Sequence, residues 1–469
     1  MQIVRSPLRA AAGRHHSRRL AGLCLALFLC AGLPGAEAGS MLPEDYFPEL
    51  MSLLEHARDA SPHVHRQSLR IEQAEGERLA ASSATKPRAN LQARAAASVE
   101  YRSDLDSTPL RGFAQTNLSV RQPLYHWGAL RATRRIGELQ LERTEAEGVE
   151  AREALLREIR GQYLQLVMLR RRESALERSL GYSEDLVSAQ EELVRRNRLS
   201  ETELLESRLS LYDTEEQLSS ARNRVRRLED RLAQNTGYDR VDALGRVAVP
   251  EIRVMSPEEM HELRRAIDRE TRISGDVLAE QLELEMERER FQTLESRLRP
   301  NVDLVAGITQ DQLEAVGSDD YEVRVIYFTG LQVSWNLFDG RETRGRKMSS
   351  LARQRLLEMR AERTRQMERH ELNALYEEVQ HNLRQMTTRE RRSELTEQRL
   401  ALQEELADRE RISRTELLRE RIAAEEIRIQ SLEARLTYLE NVGRLRARIH
   451  GDPFLQGRAG EPPSIIHDR

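Results

Sequence analysis

Apolar residues in this chain follow two different periods, and the switch between them marks its plan. Over Leu91–Tyr101 the odd positions Leu91, Ala93, Ala95, Ala97, Val99 and Tyr101 are apolar, whereas Gln92, Arg94, Ser98, Glu100 and Arg102 fill even ones. Period two means a strand whose two faces meet different surroundings. After a polar stretch, Ser103–Arg111, the alternation returns as Ala114, Thr116, Leu118 and Val120 against Gln115, Asn117, Ser119 and Arg121. The pattern predicts a β-hairpin over residues 88–123 that ends at Pro123.

Around the hairpin the period is helical. Tyr46, Leu50, Leu53, Leu54 and Ala57 predict a short helix over Pro43–Ala60, and Pro62 opens a second that runs to about Thr85. Residues 128–197 contain no proline, and Leu156, Ile159, Tyr163, Leu166 and Val167 recur three and four apart. At 1.5 Å per residue such a helix is on the order of 100 Å long. A break follows at Asn197–Ser200, where Ser200 with Glu203 has the spacing of a capping box. A return helix is expected over 201–235 and a Gly- and Pro-containing linker over 237–256.

The same plan then repeats, at one constant offset. Pro87 and Pro300, Leu91 and Leu304, Leu124 and Leu337, Tyr163 and Tyr376, and Ser200 and Ser413 are each 213 positions apart. So are Thr202-Glu203-Leu204-Leu205 and Thr415-Glu416-Leu417-Leu418. Residues 39–236 form a first repeat and 257–450 a second, with a hairpin over 300–336, a long helix over 341–409 and a return helix over 413–450. In the second hairpin Val302, Leu304, Ala306, Ile308 and Tyr321, Val323, Val325, Tyr327, Leu331, Val333, Trp335 share one face. Ile326 and Phe328 break the polar face opposite. Residues 451–469, rich in Gly and Pro, are expected to be a disordered tail.

Composition supports an elongated helical body, since 32% of the 469 residues are charged and only 4% aromatic. The N-terminus has five arginines (Arg5, Arg9, Arg14, Arg18, Arg19), an apolar run Leu20–Leu33 and the A-x-A site Ala36-Glu37-Ala38. Residues 1–38 therefore read as a signal peptide, too short in its apolar run to stay as a membrane span of about 20 residues. Both cysteines, Cys24 and Cys30, fall inside it. Neither follows the small residue usual at a lipidation site, and the expected mature chain has no thiol chemistry. Taking five arginines and one glutamate from 74 basic and 78 acidic residues leaves 69 and 77, a formal net of −8. That acidic balance argues against nucleic acid as a partner.

Four strands of about 11 residues suit a bilayer crossed by tilted β-strands. Four strands cannot close a barrel, and open edges are not tolerated in lipid, so several chains must pool them. Aromatic residues stand where interface belts belong: Tyr101, Phe113 and Tyr321 near the turns, and Tyr125, Trp127, Trp335 and Phe338 where strands rejoin helices. A soluble protein with two ribbons on its own helices, a coiled-coil spacer or scaffold without a pore, is the competing reading. A scaffold has no need of four alternating strands with aromatic ends.

These features resemble the TolC family of bacterial outer-membrane export channels. The duplicated helix–hairpin–helix unit carries the resemblance, with Pro87 and Pro300 before each first strand. So do the junctions Gln122-Pro123-Leu124-Tyr125-His126-Trp127-Gly128 and Trp335-Asn336-Leu337-Phe338-Asp339-Gly340, and the helix-turn segments Leu199–Leu205 and Ile412–Leu418. The resemblance spans residues 43–450. It implies an α+β membrane protein: a homotrimer whose twelve-stranded β-barrel in outer-membrane lipid continues as a long periplasmic α-helical barrel. It further implies a periplasmic adaptor protein and an inner-membrane transporter as partners, with gating at the periplasmic tip. Family members usually carry a glycine in each tip turn, where Asn197 and Glu410 stand here; glutamate adopts a left-handed turn poorly.

Candidate site residues follow from that plan. Glu404, Glu405 and Asp408, and Glu191 and Glu192 in the first repeat, would form acidic rings if three chains surround a pore, and such rings bind cations; the same residues also fit an ordinary charged helix face. Asn197, Arg198, Leu199, Ser200 and Glu410, Arg411, Ile412, Ser413 are tip residues that either contact an adaptor or form solvated ends. No G-x-S-x-G, Gly-rich phosphate loop or H-E-x-x-H motif points to catalysis or a cofactor. His63 and His65, two apart, do not share a helix face as metal ligands would.

Overall fold

The computed structural model describes residues 41–99, 110–241, 244–269, 272–314 and 321–456. The expected leader, Tyr101 in the first turn and the chain after Gln456 lie outside the described residues.

Prolines set the opening helices. α1 (Pro43–Tyr46), α2 (Pro48–Ala60) and α3 (Pro62–Ser82) each begin with proline, which has no amide to leave unpaired in the first turn. The single helix expected over 43–60 is two helices. A residue before proline is pushed from the helical region, and Phe47 takes φ −128°. A 3-10 turn, Ser83–Thr85, leads into the strand β1 (Arg88–Val99), which pairs with β2 (Leu110–Tyr125).

Two helices of 67 residues dominate the rest of the chain, α4 (Ala129–Arg195) and α8 (Glu342–Asp408). Each turns back into a shorter helix, α5 (Glu201–Thr236) and α9 (Arg414–His450). Between the halves lie α6 (Pro257–Asp268), α7 (Gly275–Ser296), β3 (Asn301–Glu314) and β4 (Tyr321–Ser334), and α10 (Pro453–Gln456) closes the described chain. The offset of 213 holds at element ends: Arg88 and Asn301, Ala129 and Glu342, Arg195 and Asp408, Glu201 and Arg414. It extends to a cap unnoticed in the sequence, because Ser61 and Ser274 open α3 and α7 by accepting a first-turn amide, that of His63 in one case and of Val277 in the other. At Ser200 only half of the expected capping box forms; the reciprocal box is at Ser256 and Glu259.

The strands make one antiparallel sheet in the order β1-β2-β3-β4. The helices lie four abreast in the matching order: α3 and α5, then α4, then α7 and α9, then α8. Sheet and helical layer therefore each end in open edges, β1 and β4 for one, α3 with α5 and α8 for the other. None of the described helices is long and apolar enough to cross a membrane.

Among the described residues, a core of ordinary thickness exists at only one level. There α2, α6 and the linker cover the middle of α4, α8 and α9, burying Leu50, Leu54, Ile159, Tyr163, Val379 and Tyr438 among others. Tyr163 donates its hydroxyl to Glu49 at 3.0 Å, and the Tyr438 hydroxyl accepts the Met255 amide at 3.0 Å, fixing the linker. Burial raises the pKa of both phenols. The segment after Gly451, expected to be disordered, is instead tied in as far as Gln456: Asp452 is 1% exposed and binds Arg160. Away from this level the helices meet along single seams, with arginine–glutamate pairs such as Arg435–Glu390 setting their register.

Candidate functional site

Register sorts the sheet into two unlike faces. Across the four strands run the rows Leu91–Leu118–Ile308–Tyr327, Ala93–Thr116–Gln310–Val325 and Ala89–Val120–Ala306–Thr329. The opposite face carries Arg94–Gln115–Asp311–Arg324, Gln92–Asn117–Thr309–Ile326, Asn90–Ser119–Gly307–Phe328 and Arg88–Arg121–Val305–Gly330. Paired residues point to the same side, so the first face is uncharged along these rows and the second holds the described arginines Arg88, Arg94, Arg121 and Arg324. The ring of Phe328 covers Gly307 on the polar face, where a Cβ would sit 2.6 Å from its Cζ. The two apolar exceptions, Ile326 and Phe328, thus lie on the polar side, Phe328 filling the space that the glycine leaves.

The expected belt splits. Strand β2 does not stop at Pro123, because its register shifts between Pro123 and Tyr125 and the strand resumes with Tyr125 opposite Val302. The bulge at Leu124 turns Tyr125 onto the apolar face. Tyr125 meets Trp127 edge-on at 5.0 Å, and Arg299 stacks over Trp127. Both indoles donate to backbone carbonyls just before β3, Trp127 to Pro300 at 2.8 Å and Trp335 to Leu298 at 3.0 Å. Trp335 and Phe338 remain 59% and 80% exposed. The side chains of Phe113 and Tyr321 lie outside the described residues.

Strand becomes helix through the same backbone in both halves. Trp127 and Gly128 have φ of 52° and 88°, and Gly340 and Arg341, at the corresponding places, 64° and 73°. One glycine per pair suffices for two successive left-handed residues, and it has changed position between the repeats. Asp339 anchors the second junction by accepting the amides of Arg341 and Thr343. His126 anchors the first through Asp303 at 2.8 Å.

At the other end of the long helices the two turns also coincide. Asn197 and Glu410 both take φ 55°. The amides of Arg198 and Arg411 return to Leu193 and Leu406 at 2.8 and 2.9 Å, and those of Asn197 and Glu410 to Val194 and Ala407 at 2.9 Å. That is a Schellman turn with a non-glycine residue at its left-handed position. Ser200 and Ser413 then cap α5 and α9, leaving Leu199 and Ile412 half-buried and Arg198 and Arg411 exposed. Replacing Glu410 by glycine should stabilise the tip by about 1 kcal/mol, since a side chain in this conformation costs about that much. Asn197→Gly should gain less, asparagine being the better tolerated. Hydrogen exchange of the turn amides measures both; unchanged protection in Glu410→Gly would refute the strain.

The acidic candidates do not converge within one chain. Glu191 pairs with Arg208 at 2.7 Å and Glu404 with Arg421 at 2.8 Å, the same pair in each repeat. Glu192 and Glu405 pair with Arg196 and Arg409 one turn on. Asp408 alone of the five has no arginine among the described residues. The ties between the two helical hairpins were not visible in the sequence: Arg178–Glu425 at 2.7 Å, Arg414–Asp185 at 3.8 Å, and Arg421 over the Tyr182 ring. Its hydrogen bond to Glu425 raises the Arg178 pKa above the ordinary arginine value. Only the offset of Arg208 and Arg421 could have pointed to any of these. His63 and His65 are exposed on α3, with Arg66 at 3.0 Å from the His63 Nδ1.

Comparison with known proteins places this geometry. Residues 53–238 match the family of outer membrane efflux proteins. No curated protein sequence matches the chain. Among solved structures it is similar to the CmeC outer membrane channel of Campylobacter jejuni, with a TM-score of 0.71 at 12% identity over 87% of each chain. The outer membrane protein VceC of Vibrio cholerae gives 0.63 at 19% identity, over 85% of this chain and 97% of that one. The MtrE outer membrane channel of Neisseria gonorrhoeae, in its open state, gives 0.63 at 13%, over 86% and 89%. The fold is that of these outer-membrane channels, a small antiparallel sheet continued by long helices.

Proposed function

We propose that this chain, which carries the TolC-like outer-membrane channel fold, forms as a homotrimer the passive exit duct of a tripartite efflux or type I secretion system. The observation that carries the trimer is the coincidence of open edges. β1 and β4 end the sheet where α3 with α5, and α8, end the helical layer, and exposed Leu69, Leu79, Leu209, Met348, Met359 and Leu402 lie on those edge helices. Three copies joined edge to edge give twelve strands and a twelve-helix wall and leave no strand unpaired in lipid. The chain is read as two tandem repeats, residues 39–236 and 257–450, each supplying two strands to the barrel. Tyr125, Trp127, Tyr321, Trp335 and Phe338 then mark the membrane boundaries.

Gating is assigned to the tip, where Asn197–Ser200 and Glu410–Ser413 meet a periplasmic adaptor that in turn engages an inner-membrane transporter. Opening by displacement of one helical hairpin must break Arg178–Glu425 and Arg414–Asp185, whereas Glu191–Arg208 and Glu404–Arg421 move within their own hairpins. The acidic ring reduces to three copies of Asp408, with Glu192 and Glu405 behind it.

Single-channel recording in planar bilayers, after an unheated gel has shown the oligomer, tests the reading. Discrete conductance from an SDS-resistant trimer is the expected result. Arg178→Gln with Arg414→Gln removes one exposed tie and one to the buried carboxylate of Glu425, together about 1 kcal/mol or more, and should raise the open population at least about fivefold. A monomeric rod without conductance would overturn the channel and restore the scaffold.

A further inference from the structure

We infer that the barrel interior is anion-selecting, through two levels of arginine on the polar face of the sheet; this rests on the channel reading above. One level is the row Arg94–Gln115–Asp311–Arg324 and the other the row that begins Arg88–Arg121. Six residues separate Arg88 from Arg94 along β1, roughly 20 Å of strand. On this face the described side chains are four arginines against two aspartates, Asp303 and Asp311, and Asp303 is already held by His126. Arg88 and Arg324 have no carboxylate partner among the described residues, and Arg121 reaches only the neutral amide of Gln332, at 3.4 Å.

The excess is local. The expected mature chain is net acidic, yet among the described side chains the surface that a closed barrel would turn inward is net positive by two per chain, or six per trimer. Lipid cannot face these groups, so the uncharged rows take the outside and the arginines line the water. Arginine rings in a pore raise the local concentration of anions and exclude cations. Their reach is the Debye length, about 10 Å at 0.1 M salt and about 3 Å at 1 M, so the preference is strong in dilute salt and fades in concentrated salt. Cargo bearing carboxylate, phosphate or sulfonate groups is the class such a wall favours.

Ion selectivity of the purified full-length trimer in a KCl gradient decides the point. In dilute KCl chloride should be preferred over potassium about threefold, falling towards unity at 1 M as screening shortens the reach of the rings. Arg88→Gln, Arg121→Gln and Arg324→Gln together should abolish the preference, and Arg324→Gln alone should lower it, which keeps the test available if the triple variant fails to assemble. Cation preference that persists in Asp408→Asn, which removes the acidic ring at the tip, or an anion preference that none of the arginine variants changes, would overturn the inference while leaving the channel intact. Absence of conductance, both in the native protein and with the tip ties removed, would end the channel reading and this one with it.

Discussion

Ile308→Arg should abolish assembly in the outer membrane, whereas Thr309→Arg, one residue along the same strand, should be tolerated. Ile308 lies midway along β3 in the uncharged row Leu91–Leu118–Ile308–Tyr327. An arginine on the lipid face near the bilayer midplane costs about 2–4 kcal/mol, and a trimer bears three of them. Thr309 belongs to the row Gln92–Asn117–Thr309–Ile326, where a further arginine joins water and its own kind. The readout is the SDS-resistant trimer in outer-membrane fractions: absent for the first variant, present and conducting for the second. On a soluble ribbon the contrast would vanish, because surface substitutions away from special features usually stay within about 0.5 kcal/mol. Equal tolerance of both variants would therefore overturn the barrel.

That contrast is legible in the sequence because strand parity is strict: a side chain's face is fixed by counting, wherever the register holds. Counting fails at a bulge. Tyr125 reaches the apolar face only because Leu124 is passed over, and the sequence around Pro123 predicted an end to the strand rather than a shift within it.

The duplication was the strongest signal of all, since one offset predicted the ends of the long helices, both hairpins and both tip turns. It could not reveal contacts between the halves. Arg178 with Glu425 and Arg414 with Asp185 join helices whose separation in sequence carries no pattern. Nor could periodicity show that Glu191 and Glu404 are neutralised by Arg208 and Arg421, 17 residues away across a turn. A carboxylate near a pore mouth reads as a ring until its partner is found.

Arg160→Ala should destabilise the protein by about 3–5 kcal/mol, and the cause is also what orders the segment after Gly451 against its composition. Arg160 is 4% exposed and makes a two-pronged pair on each side, Nε and Nη2 to Glu44 at 2.8 and 2.5 Å, Nη1 and Nη2 to Asp452 at 2.5 and 3.0 Å. Its pKa is raised, because the bonds to Asp452 and Glu44 outweigh the burial that on its own would lower it. One guanidinium thus clasps the segment before α2 and the segment after α9 onto the middle of α4. Glycine-rich composition had suggested disorder for the latter, yet a single buried charge partner is enough to order it. Alanine would leave two carboxylates buried without a counter-charge, which is far costlier than never having placed the triad there. Arg160→Met with Glu44→Leu and Asp452→Leu should accordingly recover most of the loss, and thermal unfolding of the detergent-solubilised trimer measures both. A single variant as stable as the native protein would show that the clasp contributes nothing to folding. A triple variant as unstable as the single one would show that its worth lies in the pairing itself and not in avoiding orphaned charge.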